Sequence, residues 1–165
     1  KVLPQQLRLY AVTDSRRLRG RTLLDTVAAA LDGGATFVQL REKELSPAAL
    51  LEEARALAKL CHARHVPFVV DDNVEVALAA GADGVHVGQS DMAARRARAL
   101  LGPDKILGVS AHNAAEALAA QADGADYLGC GLCDGYQARC PPGDGRDDAC
   151  RDGGGEHSGG GHRRH

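Results

Sequence analysis

Charged side chains recur at one kind of position in this sequence, directly after short apolar stretches. Arg41 and Lys43 follow one stretch, Asp71 and Asp72 follow the next, and Asp91 follows a third. Carboxylates that converge repel one another, and a divalent cation relieves that repulsion. A small set of carboxylates suits Mg²⁺ held together with substrate phosphates, while Arg and Lys meet phosphate charge. The pattern predicts a site for a phosphorylated substrate with Mg²⁺.

Each of these residues also has a structural interpretation. A carboxylate or amide after a strand is commonly the N-cap of the next helix, which is the leading interpretation for Asp14 and Asn113 taken alone. Residues 41–43, taken singly, fit a solvated charge cluster equally well. The neighbouring acids at 71, 72 and 91 are harder to explain in this way, because uncompensated like charges at close range are costly. The remaining polar residues at such positions are Gln89, Ser110 and His112.

The elements that must position these side chains alternate regularly up to about residue 130. Strand patterns cover residues 7–14, 36–43, 66–73, 83–91, 105–113 and 126–131. Helical spacing of apolar residues covers 22–35, 46–65, 74–82, 92–102 and 114–125. Strands and helices alternating at this spacing predict right-handed βαβ units and a parallel sheet.

Two architectures fit such a pattern, an open doubly wound sheet and a (β/α)8 barrel. No glycine-rich dinucleotide fingerprint follows the first strand, which weakens the open-sheet interpretation. The polar residues fall at the carboxyl ends of the strands, and in a barrel those ends converge on one face where active sites are built. The sequence therefore predicts the α/β class, as an incomplete TIM (β/α)8-type barrel of about six strands and five helices.

Composition restricts the partners. The chain of 165 residues has a net charge of −2 and 44% apolar residues, which predicts one core and no affinity for nucleic acid or an anionic membrane. No apolar run is long enough for a membrane span, and the first residues do not resemble a signal peptide. We expect a cytoplasmic protein that binds small phosphorylated substrates. The sequence is also compatible with assembly into a homo-oligomer.

Five segments together resemble the thiamine-phosphate synthase family. They are "LYAVTDS", "VQLREKELS", "VVDDNVEVALAAGADGVHVGQSDM", "ILGVSAHN" and "ADGADYLGCG", in order over residues 7–131. The resemblance implies a (β/α)8 barrel and a transferase of thiamine biosynthesis. That reaction joins a hydroxymethylpyrimidine diphosphate to a thiazole phosphate and releases pyrophosphate, with Mg²⁺ on the diphosphate.

The resemblance also implies roles for individual positions. Gln39, Arg41 and Lys43 would bind the diphosphate, and Arg41 and Lys43 would stabilise the departing charge. Ser110 would contact the pyrimidine and help the diphosphate to leave. Arg41, Lys43 and Ser110 are thus the catalytic candidates.

The acidic residues complete the implied site. Asp72 and Asp91 would hold Mg²⁺, and Asp71 would belong to the substrate-binding set. The family usually has Asn-Asp-Arg where this chain has Asp71, Asp72 and Asn73. An amide is therefore replaced by an acid and a cation is lost, which adds negative charge beside the diphosphate.

Two alternative functions stay open at this point. A thiazole tautomerase shares the barrel, but that family relies on a histidine near the end of the sixth strand, where this chain reads "LGCGLC". The second alternative is a non-catalytic partial barrel that binds phosphate ligands or assembles with itself.

The sequence changes character after residue 131. Residues 132–165 are rich in Gly, Cys and His, and their composition predicts a disordered segment after a partial barrel domain of residues 1–131. A Zn²⁺ site is the rival interpretation, because Cys130 and Cys133 form a CxxC pair. Its further candidate ligands are Cys140, Cys150, His157, His162 and His165.

A shifted reading frame from about Gly129 or Cys130 onward is the hypothesis we favour for this segment. One permitted set of codons for residues 133–140, read one base later, encodes Ala-Thr-Ala-Thr-Lys-Arg-Asp. Residues 157–165 treated likewise encode Thr-Val-Val-Val-Val-Ile-Gly-Gly. Both resemble the family's next loop and strand. Since the chain as written then lacks strands 7 and 8, we expect it to be truncated and weak or inactive as a synthase.

Overall fold

A computed structural model describes residues 1–130 of the chain. Its strands are β1 (Tyr10–Val12), β2 (Phe37–Leu40), β3 (Phe68–Asp71), β4 (Gly84–Val87), β5 (Ile106–Ser110) and β6 (Tyr127–Gly129). Its helices are α1 (Leu23–Asp32), α2 (Pro47–Ala63), α3 (Val74–Ala79), α4 (Ala94–Leu101) and α5 (Ala114–Ala122). Short 3₁₀ turns cover Pro4–Leu7 and Ser15–Arg17. The predicted alternation of strand and helix is confirmed.

All strands within residues 1–130 form one parallel sheet in the order β1-β2-β3-β4-β5-β6. Each strand pairs with the strand that follows it in the chain. Every connection contains one α-helix, and the first connection also contains a 3₁₀ turn before α1. This sequential order is that of a curled partial barrel and excludes a doubly wound sheet, whose strand order reverses at one point. The prediction of an incomplete barrel is therefore confirmed.

The sheet buries both faces, as parallel sheets do. The outer face packs against the helices and contains Val38, Leu40, Phe68, Val70, Val85, Val87, Leu107 and Val109. The inner face carries a smaller cluster of Phe37, Val69, Ile106 and Tyr127, against which Tyr10 packs. Since side chains alternate along a strand, the residues that follow this cluster on the inner face lie nearer the carboxyl ends of the strands.

Polar side chains start most of the helices. Thr22, Ser46, Asn73 and Asn113 each accept a hydrogen bond from a backbone N–H in the first turn of α1, α2, α3 and α5, respectively. The N-cap interpretation of Asn113 is thus confirmed. Asp14 caps the short turn Ser15–Arg17 by accepting a hydrogen bond from the Arg16 N–H.

Arg98 ties several segments together at the amino ends of the strands. Its guanidinium donates to the carbonyls of Gly102, Lys105 and Gly124, at distances of 2.6 to 3.2 Å, and forms an ion pair with Asp126 at 2.6 Å. The contacts join α4 to the loops before β5 and β6. They lie at the end of the sheet opposite the predicted site.

Residues 131–165 lie outside the described part of the chain. The prediction of disorder falls wholly on that segment, and so do the predictions of a Zn²⁺ site and of a shifted frame apart from Gly129 and Cys130, where they begin. Among the helices of residues 1–130, none has the length and apolar character required to cross a bilayer.

Candidate functional site

The turn after β3 brings two acids to the carboxyl edge of the sheet. Asp71 is the last residue of β3, and Asp72 follows in the left-handed region with a φ of 62°. The Asp72 N–H donates to the His86 carbonyl at 2.8 Å, which holds this sparsely populated conformation in place. Asn73 then caps α3. A strained residue fixed by its surroundings at a strand end is typical of a functional position.

The carboxyl groups of Asp72 and Asp91 interact, and each shifts the pKa of the other. Burial, together with the carboxylates of Asp91 and Asp71, raises the pKa of Asp72 to about 7. The Asp72 carboxyl lowers the pKa of Asp91, whose Oδ2 accepts from the Gly88 N–H at 2.7 Å. Two acids held this closely need either a proton or a cation between them.

This donor set fits Mg²⁺ better than a metal bound by protein ligands alone. Within residues 1–130 no group of three or more His, Cys, Asp or Glu side chains converges as a complete metal site. Mg²⁺ is commonly held by one or two carboxylates, with substrate phosphates and water completing the coordination. Asp72 and Asp91 provide such a pair.

Two cations border the acids. Arg41 Nε lies 3.7 Å from Asp71 Oδ2, and Lys43 Nζ lies 3.8 Å from Asp72 Oδ2. The backbone N–H of Arg41 donates to Oγ1 of Thr13, the residue after β1, at 2.9 Å, which fixes the start of the loop that follows β2. Arg41 and Lys43 remain 40% and 60% exposed, and both line a cavity of about 240 Å³ that also reaches residues 14–16. Their charges are therefore accessible to an anionic ligand.

A second cavity, of about 370 Å³, lies at the amino ends of the strands beside His62 and Asp83. It is larger, but none of the residues predicted to do chemistry lines it. Asp83 has a structural role there, since its carboxylate accepts from the Phe68 N–H at 2.8 Å and contacts His62 at 2.9 Å. The smaller cavity is the better candidate because Arg41 and Lys43 line it, together with three acids, Asp14, Glu42 and Glu44.

Gln39 and Ser110 lie on the inner face at the two ends of a chain of hydrogen bonds. Gln39 Nε2 donates to Tyr10 Oη at 2.8 Å, and Tyr10 Oη contacts Tyr127 Oη at 2.6 Å. Tyr127 Oη lies 3.0 Å from His86 Nδ1, and His86 Nε2 lies 2.9 Å from Ser110 Oγ. Burial lowers the pKa of His86 to about 4 and raises the pKa of Tyr10 to about 12.

The other polar residues at strand ends have structural partners. Asp14 pairs with Arg16 at 2.9 Å, and this contact lowers the pKa of Asp14. Gln89 Nε2 donates to the Ser110 carbonyl at 2.6 Å. His112 Nδ1 lies 2.9 Å from Glu116 Oε2 within the same turn. The structural interpretation of Asp14 is therefore confirmed.

The predicted acids and cations thus come together, and the sequence analysis missed three residues beside them. Tyr10, His86 and Tyr127 were not among the candidates because each lies within an apolar strand pattern and resembles a core residue. A usable signal was present: each is a polar residue at an inward-facing position of a strand otherwise made of apolar and small residues. Gln39 is only 5% exposed, and its amide is bound to Tyr10 rather than presented to solvent.

Comparisons with known proteins agree on one family. The family model for thiamine monophosphate synthase matches residues 9–136. A thiamine-phosphate synthase from Chloroflexus aurantiacus is 56% identical over 124 residues, which cover 75% of this chain and 57% of that protein. The thiamine phosphate pyrophosphorylase structure from Pyrococcus furiosus matches with a TM-score of 0.72 and 41% identity, over 78% of this chain and 61% of the other.

A plant relative differs in length. The probable chloroplastic thiamine biosynthetic bifunctional enzyme of Oryza sativa subsp. japonica is 53% identical over 130 residues, covering 78% of this chain and 24% of that protein. The chain therefore spans about a quarter of this bifunctional relative, and less than two thirds of the Chloroflexus and Pyrococcus proteins.

Proposed function

Because the chain belongs to the thiamine monophosphate synthase family, we propose that residues 1–130 form the diphosphate-binding part of a thiamine-phosphate synthase site. The reaction joins hydroxymethylpyrimidine diphosphate to thiazole phosphate and releases pyrophosphate. One observation supports this function most strongly: the interacting acids Asp72 and Asp91 lie beside the accessible Lys43, and Arg41 lies beside the neighbouring Asp71. This combination suits a diphosphate and a divalent cation.

The residues divide the work of stabilising the leaving group. Arg41 and Lys43 hold positive charge where the diphosphate would sit, and their attraction grows as negative charge develops on the departing oxygen. Asp72 and Asp91 would hold Mg²⁺. When bound, Mg²⁺ would neutralise phosphate charge and orient the diphosphate. Ser110 would donate a hydrogen bond to the same group.

Asp71 stands where the family usually has an amide. Burial raises its pKa, and this moves the side chain toward the neutral carboxyl, the form closest to an amide in charge and in its ability to donate a hydrogen bond. The neighbouring Arg41 acts in the opposite direction by favouring the carboxylate. We propose that Asp71 contributes to substrate binding as a hydrogen-bonding group rather than as a metal ligand.

Calorimetry with inorganic pyrophosphate tests the binding part of this function on the full chain of 165 residues. We expect binding that requires Mg²⁺ and that Asp91→Asn weakens by at least roughly tenfold, because one of two carboxylate ligands is lost and even the outer partners of metal ligands contribute that much. Asp104→Asn is the matched control, since Asp104 is an exposed acid before β5 at the other end of the sheet. Binding without Mg²⁺, or equal loss in both variants, would contradict the proposal.

A coupled assay for thiamine phosphate tests turnover with the same preparations. Product formation that is lost in Asp91→Asn would assign the complete reaction to this chain. Pyrophosphate binding without product would restrict the role of the chain to the diphosphate part of the site.

Magnesium dependence and a cytoplasmic location belong to the same proposal. The carboxylate pair supports the first. The cytoplasmic location is proposed for this chain alone, because the names of the two plant relatives place those proteins in the chloroplast. Strand β6 (Tyr127–Gly129) and Cys130 contain no histidine, so the described residues offer no specific support for the tautomerase alternative.

A further inference from the structure

Five side chains form a continuous hydrogen-bonded path across the inner face of the sheet, in the order Gln39, Tyr10, Tyr127, His86 and Ser110. The four contacts measure 2.8, 2.6, 3.0 and 2.9 Å. Gln39, His86 and Tyr127 are each less than 9% exposed. A buried donor without an acceptor is costly in free energy. The hydrogens of the path should therefore be arranged so that each contact joins one donor to one acceptor.

Gln39 turns its Nε2, and not its carbonyl oxygen, toward Tyr10 Oη, and this orientation sets the direction of the path because an amide N–H can only donate. Tyr10 Oη accepts that hydrogen bond, and the Tyr10 hydroxyl donates its own hydrogen bond to Tyr127 Oη. Tyr127 then donates to His86 Nδ1, which must be bare. A neutral imidazole with a bare Nδ1 carries its hydrogen on Nε2, and Nε2 faces Ser110 Oγ.

The opposite direction fails at its far end. If Ser110 donated to Nε2, then His86 Nδ1–H would donate to Tyr127, and Tyr127 would donate to Tyr10. Tyr10 Oη would then accept from both Gln39 Nε2 and Tyr127 Oη, and the Tyr10 hydroxyl hydrogen would have no acceptor among the contacts of the path. The first direction avoids this conflict.

Gly108 makes the path sterically possible. His86, Gly108 and Tyr127 are register partners on β4, β5 and β6. A Cβ at Gly108 would lie 2.3 Å from Tyr127 Oη and 2.5 Å from His86 Nδ1, which is inside the space that their hydrogen bond occupies. A glycine in the middle of a strand normally weakens the strand. The glycine at position 108 is explained by the hydrogen bond between Tyr127 and His86, which occupies the space that a side chain would fill.

We propose that His86 is a positioning residue that donates Nε2–H to Ser110 Oγ and thereby leaves the Ser110 hydroxyl hydrogen free for the substrate. Ser110 has one hydrogen to give. An oxygen that already accepts from His86 can direct that hydrogen toward the diphosphate at the carboxyl edge of the sheet. The part of this inference that concerns the substrate rests on the proposed function, whereas the tautomer of His86 does not.

Nitrogen-15 NMR of the full chain measures that tautomer directly. The His86 signals are identified as those missing from the spectrum of His86→Gln. We expect the Nε2–H tautomer in the native chain and a shift toward a mixture in Tyr127→Phe, which no longer donates to Nδ1. The Nδ1–H tautomer in the native chain would overturn the proposal, whether or not the chain binds pyrophosphate.

A double-mutant comparison tests the link to Ser110, with Mg²⁺ and inorganic pyrophosphate as the probe. His86→Leu and Ser110→Ala should each weaken binding by about tenfold, the usual effect of losing a hydrogen bond to a charged group. The double variant should bind no more weakly than Ser110→Ala, because His86 acts through that hydroxyl. His86→Gln restores an N–H near the Nε2 position and should recover most of the affinity.

Two results distinguish failure of this inference from failure of the proposed function. Additive losses in the double variant, or full affinity in a folded His86→Leu, would overturn the positioning role while leaving diphosphate binding intact. If the native chain does not bind pyrophosphate, the proposed function fails, and the NMR tautomer still decides the assignment of the hydrogen on His86.

Discussion

Gly108 lies under the ring of Tyr127 at a distance that leaves no room for a side chain. A Cβ on Gly108 would stand 2.2 Å from Tyr127 Cζ, far inside van der Waals contact. Tyr127 reaches over β5 to His86 on β4, so one missing methyl group allows side chains two strands apart to form a hydrogen bond. The polar path on the inner face thus depends on a residue that contributes no polar atom of its own.

Gly108→Ala should destabilise the chain because the added methyl group must displace buried aromatic and imidazole rings. Overpacking of this kind costs about 1–3 kcal/mol in the free energy of unfolding. Urea denaturation followed by circular dichroism measures the change. NMR of His86 should also show that the contact with Tyr127 is lost.

Gly33→Ala is the matched control for the same substitution. Gly33 has a φ of −76°, and the nearest atoms to its Cβ are carbonyl oxygens at 3.4 Å, within ordinary contact. Its substitution should change the free energy of unfolding by less than about 0.5 kcal/mol. Equal losses at both glycines would show that steric conflict at Gly108 is not the cause.

The order of elements was predictable because each signal is local. Caps such as Ser46 and Asn113 mark where helices begin, and apolar alternation marks the strands between them. The strand bounds were less predictable: the pattern extended from residue 83 to Asp91, whereas β4 ends at Val87. Asp91 accordingly lies in a loop, where it reaches Gly88 and Asp72.

The charged part of the site could be predicted because parallel strands bring their carboxyl ends to one edge. Asp71, Asp72 and Arg41 follow from that rule alone. The hydrogen-bonded path did not follow, because no sequence pattern shows which inward side chains meet across strands. His86 and Tyr127 touch only because of the register of β4, β5 and β6 and the space left at Gly108.

Arg41→Met should weaken pyrophosphate binding in the presence of Mg²⁺ by about tenfold, because a charged hydrogen bond to phosphate is lost. The remaining affinity should depend less on salt, since fewer charges contribute. Calorimetry at two ionic strengths measures both effects. Arg64→Met is the control: Arg64 is 45% exposed, compared with 40% for Arg41, and it pairs with Asp32 at the other end of the sheet. Similar losses for both would indicate a nonspecific charge effect.

Cys61 should react very slowly with alkylating reagents in the folded chain. Burial, with a smaller contribution from Asp83, raises the pKa of the Cys61 thiol to about 12. Since the thiolate is the nucleophile, a raised pKa leaves only about one thiolate in 10⁴ at pH 8. Mass spectrometry after a timed treatment with iodoacetamide should find the exposed Cys130 modified and Cys61 intact until urea is added. Equal labelling of the two in the native chain would contradict the buried position.

Arg98→Met should be among the most destabilising single changes within residues 1–130. The Arg98 and Asp126 side chains are only 20% and 18% exposed, and Asp126 Oδ2 also accepts from the Leu107 N–H at 2.9 Å. Removing the guanidinium leaves a half-buried carboxylate and several carbonyls without their donor, a loss that costs about 3–5 kcal/mol. Arg55→Met removes an exposed pair with Glu52 and should cost less than about 1 kcal/mol. Urea denaturation of the two variants measures the difference, and comparable midpoints would mean that the Arg98 contacts do not hold the amino ends of β5 and β6 together.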